Sequence, residues 1–323
     1  MQHFDPKDLS VPEVHKLLLG GVVPRPIALV STISENGSNN VSPFSFFNAF
    51  GASPPLIAFS PNRRGKDGSL KDTYNNLVAT KECVVQAVTY AMVEQVSLSS
   101  TEYPPDVDEF IKSGLTPIDS DIVKPKRVKE SPFQMECILK AMNSYGQEGG
   151  SANMAICQVV KFHVDNDILR DGIIDPVKID LVSRMSANYY SRSSLGVFEV
   201  EKPIGKKCIG YDLLPENIKH SEIYTANNLA RFANVEEIPS KKDVEIFIRE
   251  LLENVVENFE ATVESFEKFQ IDRDCIKMLQ TAIILELKDS DRKKTFIELA
   301  AKCALENSDI GFAWKAALYA GLI

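Results

Sequence analysis

The sequence predicts a mainly β protein with some α: an antiparallel barrel or sandwich over residues 1–205, followed by a helical extension over 206–323. Three observations predict it. Upstream of about residue 205, short β-like runs alternate with turns rich in Pro, Gly, Asn and Ser, and helical stretches are few. Downstream, apolar residues recur at intervals of three and four, the period of a half-buried helix. No Gly-x-Gly-x-x-Gly follows a strand-like run, so a doubly wound dinucleotide fold is not indicated.

Each element has its own signal. Residues 27–33 are apolar and β-branched, and Glu35-Asn36-Gly37-Ser38 supplies hairpin chemistry. Residues 56–60, after Pro54-Pro55, and residues 83–89 are further short strands. Residues 136–142 and 154–164 are longer strand candidates, separated by a turn carrying Gly146, Gly149 and Gly150. Residues 72–80 and 90–97 read as short helices. Beyond 205, Ser240 is an N-cap with Asp243 as its capping-box partner. Val244, Phe247, Leu251, Val255, Phe259, Val263 and Phe266 then predict one amphipathic helix of some seven turns. Residues 275–288, 292–306 and 310–322 continue the helical pattern.

A chain of 323 residues suggests about two domains, and 44% hydrophobic with 25% charged residues is ordinary globular composition. Net charge is −9, divided as −4 over residues 1–200 and −5 over 201–323. No basic tail hides behind an acidic body, which argues against nucleic acid or an anionic membrane as the main partner. No apolar run reaches the ~18 residues of a membrane helix, and residues 1–6 lack signal-peptide character. The six cysteines form no Cys-x-x-Cys pair and lie mostly in apolar runs. The expectation is a cytoplasmic protein without structural disulfides or a metal site.

Catalytic constellations of the usual kinds are missing. There are four histidines and no His-Glu-x-x-His, Gly-x-Ser-x-Gly or phosphate-binding Walker pattern. His163 alternates within a strand and reads as a satisfied structural residue. The informative stretch is residues 24–76. Hydroxyl residues at strand ends, a polar helix start and a nearby lysine suit a phosphate. Aromatics beside amide donors suit a flat heteroaromatic ring. A polar turn region around a barrel mouth, with Phe44, Phe46, Phe47 and Phe50 in the core, fits the same residues, and spacing alone favours it.

The order RPIALVST, NGSNNVSPFSFFNAF, PPLIAFSP and KDTYNN, followed by Ser131-Pro132-Phe133-Gln134-Met135-Glu136-Cys137 and by Ser183-Arg184-Met185 with Tyr189-Tyr190, resembles the flavin reductase-like family that includes flavoredoxin. The likeness covers roughly residues 10–205. Gln158 stands after Cys157 where the family suggests a Gly-Glu pair, at a position that reads as strand. The resemblance implies a split β-barrel, non-covalent FMN and a homodimer, and implies nothing about the helical extension.

Carried over by position, Ser31 and Thr32 would bond flavin or phosphate oxygens, and Ser45, Phe46, Phe47 and Asn48 would line the isoalloxazine edge. Ser60 would lie near the ribityl chain, and Lys71, Asp72, Thr73 and Asn76 around the phosphate. For Asp72, a plain helix N-cap is an equal reading. Arg63, Arg64 and Lys66 fit either a phosphate contact or a solvated loop. Arg25, held between prolines, fits an ion pair or a ligand contact. Arg184 and Tyr190 would reach the flavin of a partner subunit. The activity so implied is an FMN-dependent flavin reductase using NADH or NADPH, with electrons passed to a small-molecule or protein acceptor. A flavoredoxin-like carrier reduced by a partner protein, or a non-catalytic flavin-binding or interaction protein, are the alternatives.

Overall fold

The computed structural model describes residues 1–323 apart from 105–106, 201, 203, 256–259 and 287–288. The chain divides into two units, Met1–Glu199 and Val200–Ile323. The first opens with α1 (Val11–Gly21), β1 (Arg25–Pro26), β2 (Ala28–Ile33), β3 (Asn39–Phe44), β4 (Phe47–Ala52) and β5 (Pro55–Phe59). Then come α2 (Asp72–Thr80), β6 (Glu82–Gln86), α3 (Val93–Leu98), α4 (Glu109–Ser113), β7 (Pro117–Ile118) and β8 (Arg127–Val128). It continues with β9 (Phe133–Ser144), β10 (Asn153–Val164), β11 (Leu169–Arg170), β12 (Ile173–Ile174), β13 (Val182–Arg184) and β14 (Tyr190–Arg192).

Seven strands form one antiparallel sheet in the order β3-β2-β6-β9-β10-β5-β4. Its two edge strands are consecutive in sequence, joined only by Ser45 and Phe46. Laid flat, the edges would stand six strand spacings apart, about 29 Å, whereas the three peptide steps from Phe44 to Phe47 reach about 11 Å. The sheet therefore curls until its edges meet, and chain continuity rather than a hydrogen-bond ladder closes the barrel. A second sheet, β1-β13-β14, lies in register with Arg25 opposite Arg184 and Pro26 opposite Ser183.

β2 shows why its sequence is apolar without alternation. Ala28 and Val30 enter the barrel core with Phe44, Ile57, Phe59 and Met135. Ile27 and Leu29 face the other way, into a cluster with Met92, Val96 and Phe110. Both faces are covered, so both must be apolar. The β2–β3 turn falls on the predicted residues, with Gly37 at φ +85°, a conformation glycine adopts freely. Leu77 of α2, fully buried, packs into the barrel core and fixes that helix against it. Of the four phenylalanines offered as core, Phe44 is buried and Phe46 and Phe47 are half-buried. Phe50 is instead 68% exposed, because β4 is an edge strand with one uncovered face.

The second unit contains α5 (Glu216–Lys219), α6 (Ala226–Ala233), α7 (Lys241–Glu253), α8 (Val263–Ile271), α9 (Cys275–Ile284), α10 (Ser290–Glu306) and α11 (Ile310–Ala320). Its core joins Phe232, Leu279, Ile297 and Trp314 to a run of alanines, Ala300, Ala301 and Ala304 of α10 and Ala313, Ala316 and Ala317 of α11. The single seven-turn helix expected from residue 244 to 266 is two helices. α7 ends at Glu253 with Asn254 as its C-cap, and α8 starts afresh at a capping box of Thr262 and Ser265. Periodicity carried across the break because both helices bury the same kind of stripe. Val255 lies between them, and Phe259 falls outside the described residues. The Ser240–Asp243 capping box is formed as expected, with Ser240 Oγ 2.6 Å from the Asp243 carboxylate.

Candidate functional site

The joint at Ser45–Phe46 is where the barrel is split, and Arg25 holds it. Arg25 is 4% exposed. Its guanidinium donates to Ser45 Oγ (3.3 Å), to the Leu19 and Val22 carbonyls (2.9 Å each) and to the Met185 carbonyl (3.2 Å). One side chain thus ties the end of α1, the joint and the end of β13. Burial, and then the neighbouring Arg184, lower its pKa from the ordinary arginine value. Phe46 meets His15 of α1 edge-on at 6.4 Å. Phe47 and Asn48 continue into β4, where Asn48 accepts from the Ala49 amide at 2.8 Å.

Toward the other end of the β2–β3 ladder from the joint, Thr32, Thr73 and Asn76 come together around Asn40, a residue not singled out as a site candidate from the sequence. Thr32 Oγ1 and Thr73 Oγ1 both donate to Asn40 Oδ1 (3.1 and 2.8 Å), and Asn76 Nδ2 donates to Thr32 Oγ1 (3.1 Å). Asn40 Nδ2 in turn donates to Glu109 Oε1 at 3.0 Å, and the Val41 amide reaches the other carboxylate oxygen at 3.3 Å. Burial raises the Glu109 pKa, although these hydrogen bonds oppose it. The network locks the start of α2 to β2 and β3. Ser31, one residue from Thr32, points to the opposite face of the strand, where it donates to the Lys126 carbonyl and accepts from Gln86. Strand alternation separates the two hydroxyls that adjacency in sequence had paired.

The loop of residues 61–71 carries the positive charge. Arg64 bonds the Leu70 carbonyl and pairs with Asp72 Oδ2 at 3.2 Å. Asp72 is therefore an ion-pair partner at the first position of α2, and Lys71 occupies the N-cap, so the N-cap reading of Asp72 is corrected. Arg63 donates through Nη1 to the Gly68 carbonyl at 2.8 Å, while its buried Nε has no hydrogen-bond partner. The Lys71 ammonium lies 5.5 Å from the centre of the Phe44 ring. Desolvation, reinforced by Arg64, lowers its pKa from 10.5. Among the described residues no carboxylate lies within ion-pair distance of it. Ser60 donates to Asn62 Oδ1 and accepts from the Asn153 amide at 3.0 Å, pinning the loop's first turn to β10.

A second loop buttresses the first. The Arg63 amide donates to the Ser151 carbonyl (3.0 Å), and the Gly150 amide donates to the Arg63 carbonyl (3.2 Å). A Cβ on Gly149 would stand 2.7 Å from the Gly65 carbonyl oxygen, so only glycine allows this approach. The Gly-rich β9–β10 turn, read from sequence as the separator of two strands, is thus also the back support of the cationic loop.

A cavity of about 370 Å³ opens at the split, between the β4-β5-β10-β9 wall and the β1-β13 strands. Phe47, Leu56, Met135 and Phe162 supply its walls, with Asn48 and Ser183 at its edge. Arg184 and Tyr190, candidates for a partner's flavin, pair across β13 and β14, and the Arg184 guanidinium stacks 4.7 Å over the Tyr190 ring. His163 is a structural residue, as expected: its Nε2 is 2.7 Å from the fully buried Glu136. Burial raises the Glu136 pKa, but hydrogen bonds from the Asp121, Ile122 and Val123 amides and His163 together outweigh it and hold the group low. His163, Glu136 and Asp121 form the one three-ligand cluster among the described residues, and Lys161 already occupies Asp121.

A closed antiparallel barrel split at one joint, with a cationic helix-start loop beside the split, defines the class of split-barrel proteins. The model of the flavin reductase like domain matches residues 19–182, and the chain belongs to that family. An uncharacterized protein of Halalkalibacterium halodurans is 38% identical over 202 residues, which is 62% of this chain and 96% of the relative. The uncharacterized protein YwrF of Bacillus subtilis is 34% identical over 196 residues, 59% of this chain and 95% of the relative. Among solved structures, nitrilotriacetate monooxygenase component B from Bacillus cereus superposes with a TM-score of 0.58 at 32% identity, covering 62% of this chain and 98% of that one. The 2-nitrobenzoate 2-nitroreductase of Pseudomonas fluorescens shares the fold, with a TM-score of 0.55, 23% identity, and 62% and 96% coverage. The family and fold place the chain among flavin-related oxidoreductases. The helical unit lies beyond the matched residues. No helix among the described residues is long and apolar enough to cross a membrane.

Proposed function

We propose that the barrel unit binds FMN non-covalently and works as an NAD(P)H-dependent flavin reductase that passes electrons to a second acceptor. The observation that carries the reading is the cationic loop: a buried Arg63 Nε without a partner and a desolvated Lys71 ammonium at the N-terminus of α2. A desolvated cation at the start of a helix, with an arginine that has a donor to spare in the loop leading into it, is complementary to a phosphate. FMN, when bound, supplies a ring that takes up hydride and releases electrons one or two at a time.

The remaining work belongs to the chain. Arg63 and Lys71 would hold the phosphate, and the Thr32–Asn40–Thr73–Asn76 network fixes the helix start that presents it. Ser45, Phe46, Phe47 and Asn48 would supply backbone groups to the polar edge of the ring. Arg25 keeps that joint in place through the Ser45 hydroxyl. In this reading the protein's contribution is binding and orientation of the ring.

A homodimer is part of the proposal. α1 buries none of its residues, β4 leaves Phe50 uncovered, and a dimer would cover such faces. Six free cysteines fit a reducing, cytoplasmic setting. The test is stopped-flow mixing of the FMN-loaded protein with NADH and with NADPH. The expected result is saturable bleaching of the flavin band with at least one of them. Bleaching no faster than that of free FMN would reject the reductase and leave a carrier reduced by a partner protein.

A further inference from the structure

The cavity at the barrel split has a composition of its own. Of the nineteen residues that line it, none is Asp, Glu, Lys, Arg or His. Its walls are aromatic and aliphatic: Phe47 faces it from β4, Phe133 and Phe162 from the β9–β10 ladder, where those two rings lie 6.1 Å apart. At about 370 Å³ it falls within the range of small-molecule sites, roughly 300–1,000 Å³.

Its polar side chains are few, and each of the two that remain free can donate. Asn48 uses its Oδ1 on the Ala49 amide, which leaves the carboxamide N–H groups as what it offers. Ser183 adds a hydroxyl on β13. Gln86 also lines the cavity, but its carboxamide is already spent on the Leu29 carbonyl and the Val128 amide. An apolar chamber with donors at its edge and no cation rejects an anion, because a charge would lose hydration without gaining a partner. It favours a neutral ring whose only polar atoms are hydrogen-bond acceptors.

We infer that this cavity is a binding site for a neutral, ring-bearing carbonyl compound of the quinone class, seated between Phe47 and Phe162 with an oxygen toward Asn48 and Ser183. Its role as the electron acceptor rests on the proposed reductase reading. The net step would convert a quinone to its hydroquinone, with a hydride (two electrons and one proton) from NAD(P)H and a second proton from solvent. Binding itself does not rest on that reading.

The test uses the full-length protein and tetramethyl-1,4-benzoquinone, whose fully substituted ring resists addition by thiols. Equilibrium dialysis without FMN should show saturable binding of one molecule per chain. Anthraquinone-2-sulfonate, with the same carbonyls and a negative charge, should bind at least 10-fold more weakly. Leu56→Trp, which fills the chamber from a half-buried position, should abolish binding. Ser183→Ala, which leaves the apolar walls intact, should weaken it severalfold, with unchanged circular dichroism certifying the fold of both variants. Absence of saturable binding to the wild type, equal binding of the sulfonate, or binding unaffected by both substitutions would overturn the assignment. FMN titration of the same samples separates the two claims: quinone binding without FMN binding would sink the reductase reading and leave this one standing.

Discussion

Replacing Lys71 by methionine isolates the phosphate-binding claim. Lys71 is half-buried against Phe44, desolvated, and close enough to Arg64 for repulsion to lower its pKa. Lys71→Met keeps the apolar stem and its contact with the ring while deleting the charge. Since no carboxylate among the described residues is within ion-pair distance of the ammonium, the flavin-free protein should lose no stability. A hydrogen bond between charged groups contributes about 1.5–3 kcal/mol, which at 1.4 kcal/mol per decade is a loss of roughly 10- to 150-fold in affinity. The assay is titration with FMN and, separately, with riboflavin, which lacks the phosphate. FMN affinity should fall by that factor and riboflavin affinity should not change. The wild type should also lose FMN affinity as pH rises through the lysine's lowered pKa, below 10.5, while the variant's profile stays flat there. Equal losses for both flavins, or none for either, would refute the placement of the phosphate.

Other predictions bear on the supports of the site. Gly149→Ala places a methyl group 2.7 Å from the Gly65 carbonyl oxygen, so the Arg63–Arg64 loop must move. Calorimetric titration should show about a 10-fold loss of FMN affinity, at a strain cost of about 1–3 kcal/mol. Glu136→Ala orphans the Asp121, Ile122 and Val123 amides and removes the partner of His163, at a cost of about 3–5 kcal/mol. Hydrogen exchange at those three amides should accelerate by at least 100-fold; unchanged protection would contradict the role. Because the Glu136 pKa is lowered in the fold, its contribution is present above the ordinary value of 4.5 and is lost as pH falls through the folded value. Cys83, Cys137 and Cys157 are buried in the barrel core, and hydrogen bonding among these thiols, followed by burial, raises the Cys83 and Cys157 thiols above the ordinary range. Iodoacetamide should leave all three unmodified in the native protein and label them after denaturation, as read by peptide mass spectrometry.

The parts of the fold that were legible in sequence are those whose signal is local. The β2–β3 hairpin, the α2 helix, the Gly-rich β9–β10 turn and the Ser240 cap each reside in fewer than twenty consecutive residues. Barrel closure was not legible from pattern, because it follows from which strands become neighbours: β3 and β4 lie at opposite edges although only two residues separate them. The break between α7 and α8 was hidden for a related reason. Apolar period survives a helix end, whereas the Thr262 cap that restarts the helix is a single hydroxyl among many. The candidate site was half legible. Thr32, Thr73 and Asn76 converge, but Asn40, which joins them, stood in the motif without a role, and Glu109 lies sixty-nine positions from its Asn40 partner. Ser31 was carried over with Thr32 from the family resemblance, and alternation sends it to the other face. The prolines around Arg25 marked it as restrained; its four acceptors come from α1, the joint and β13, which no local pattern connects.

The most direct measurement is an FMN titration of the purified, flavin-free chain, followed by absorbance and by quenching of flavin fluorescence. Saturation at one FMN per chain, with riboflavin binding more weakly, is the result predicted by a phosphate held at Arg63 and Lys71 beside the split. An FMN spectrum that remains that of the free cofactor at every protein concentration would contradict it.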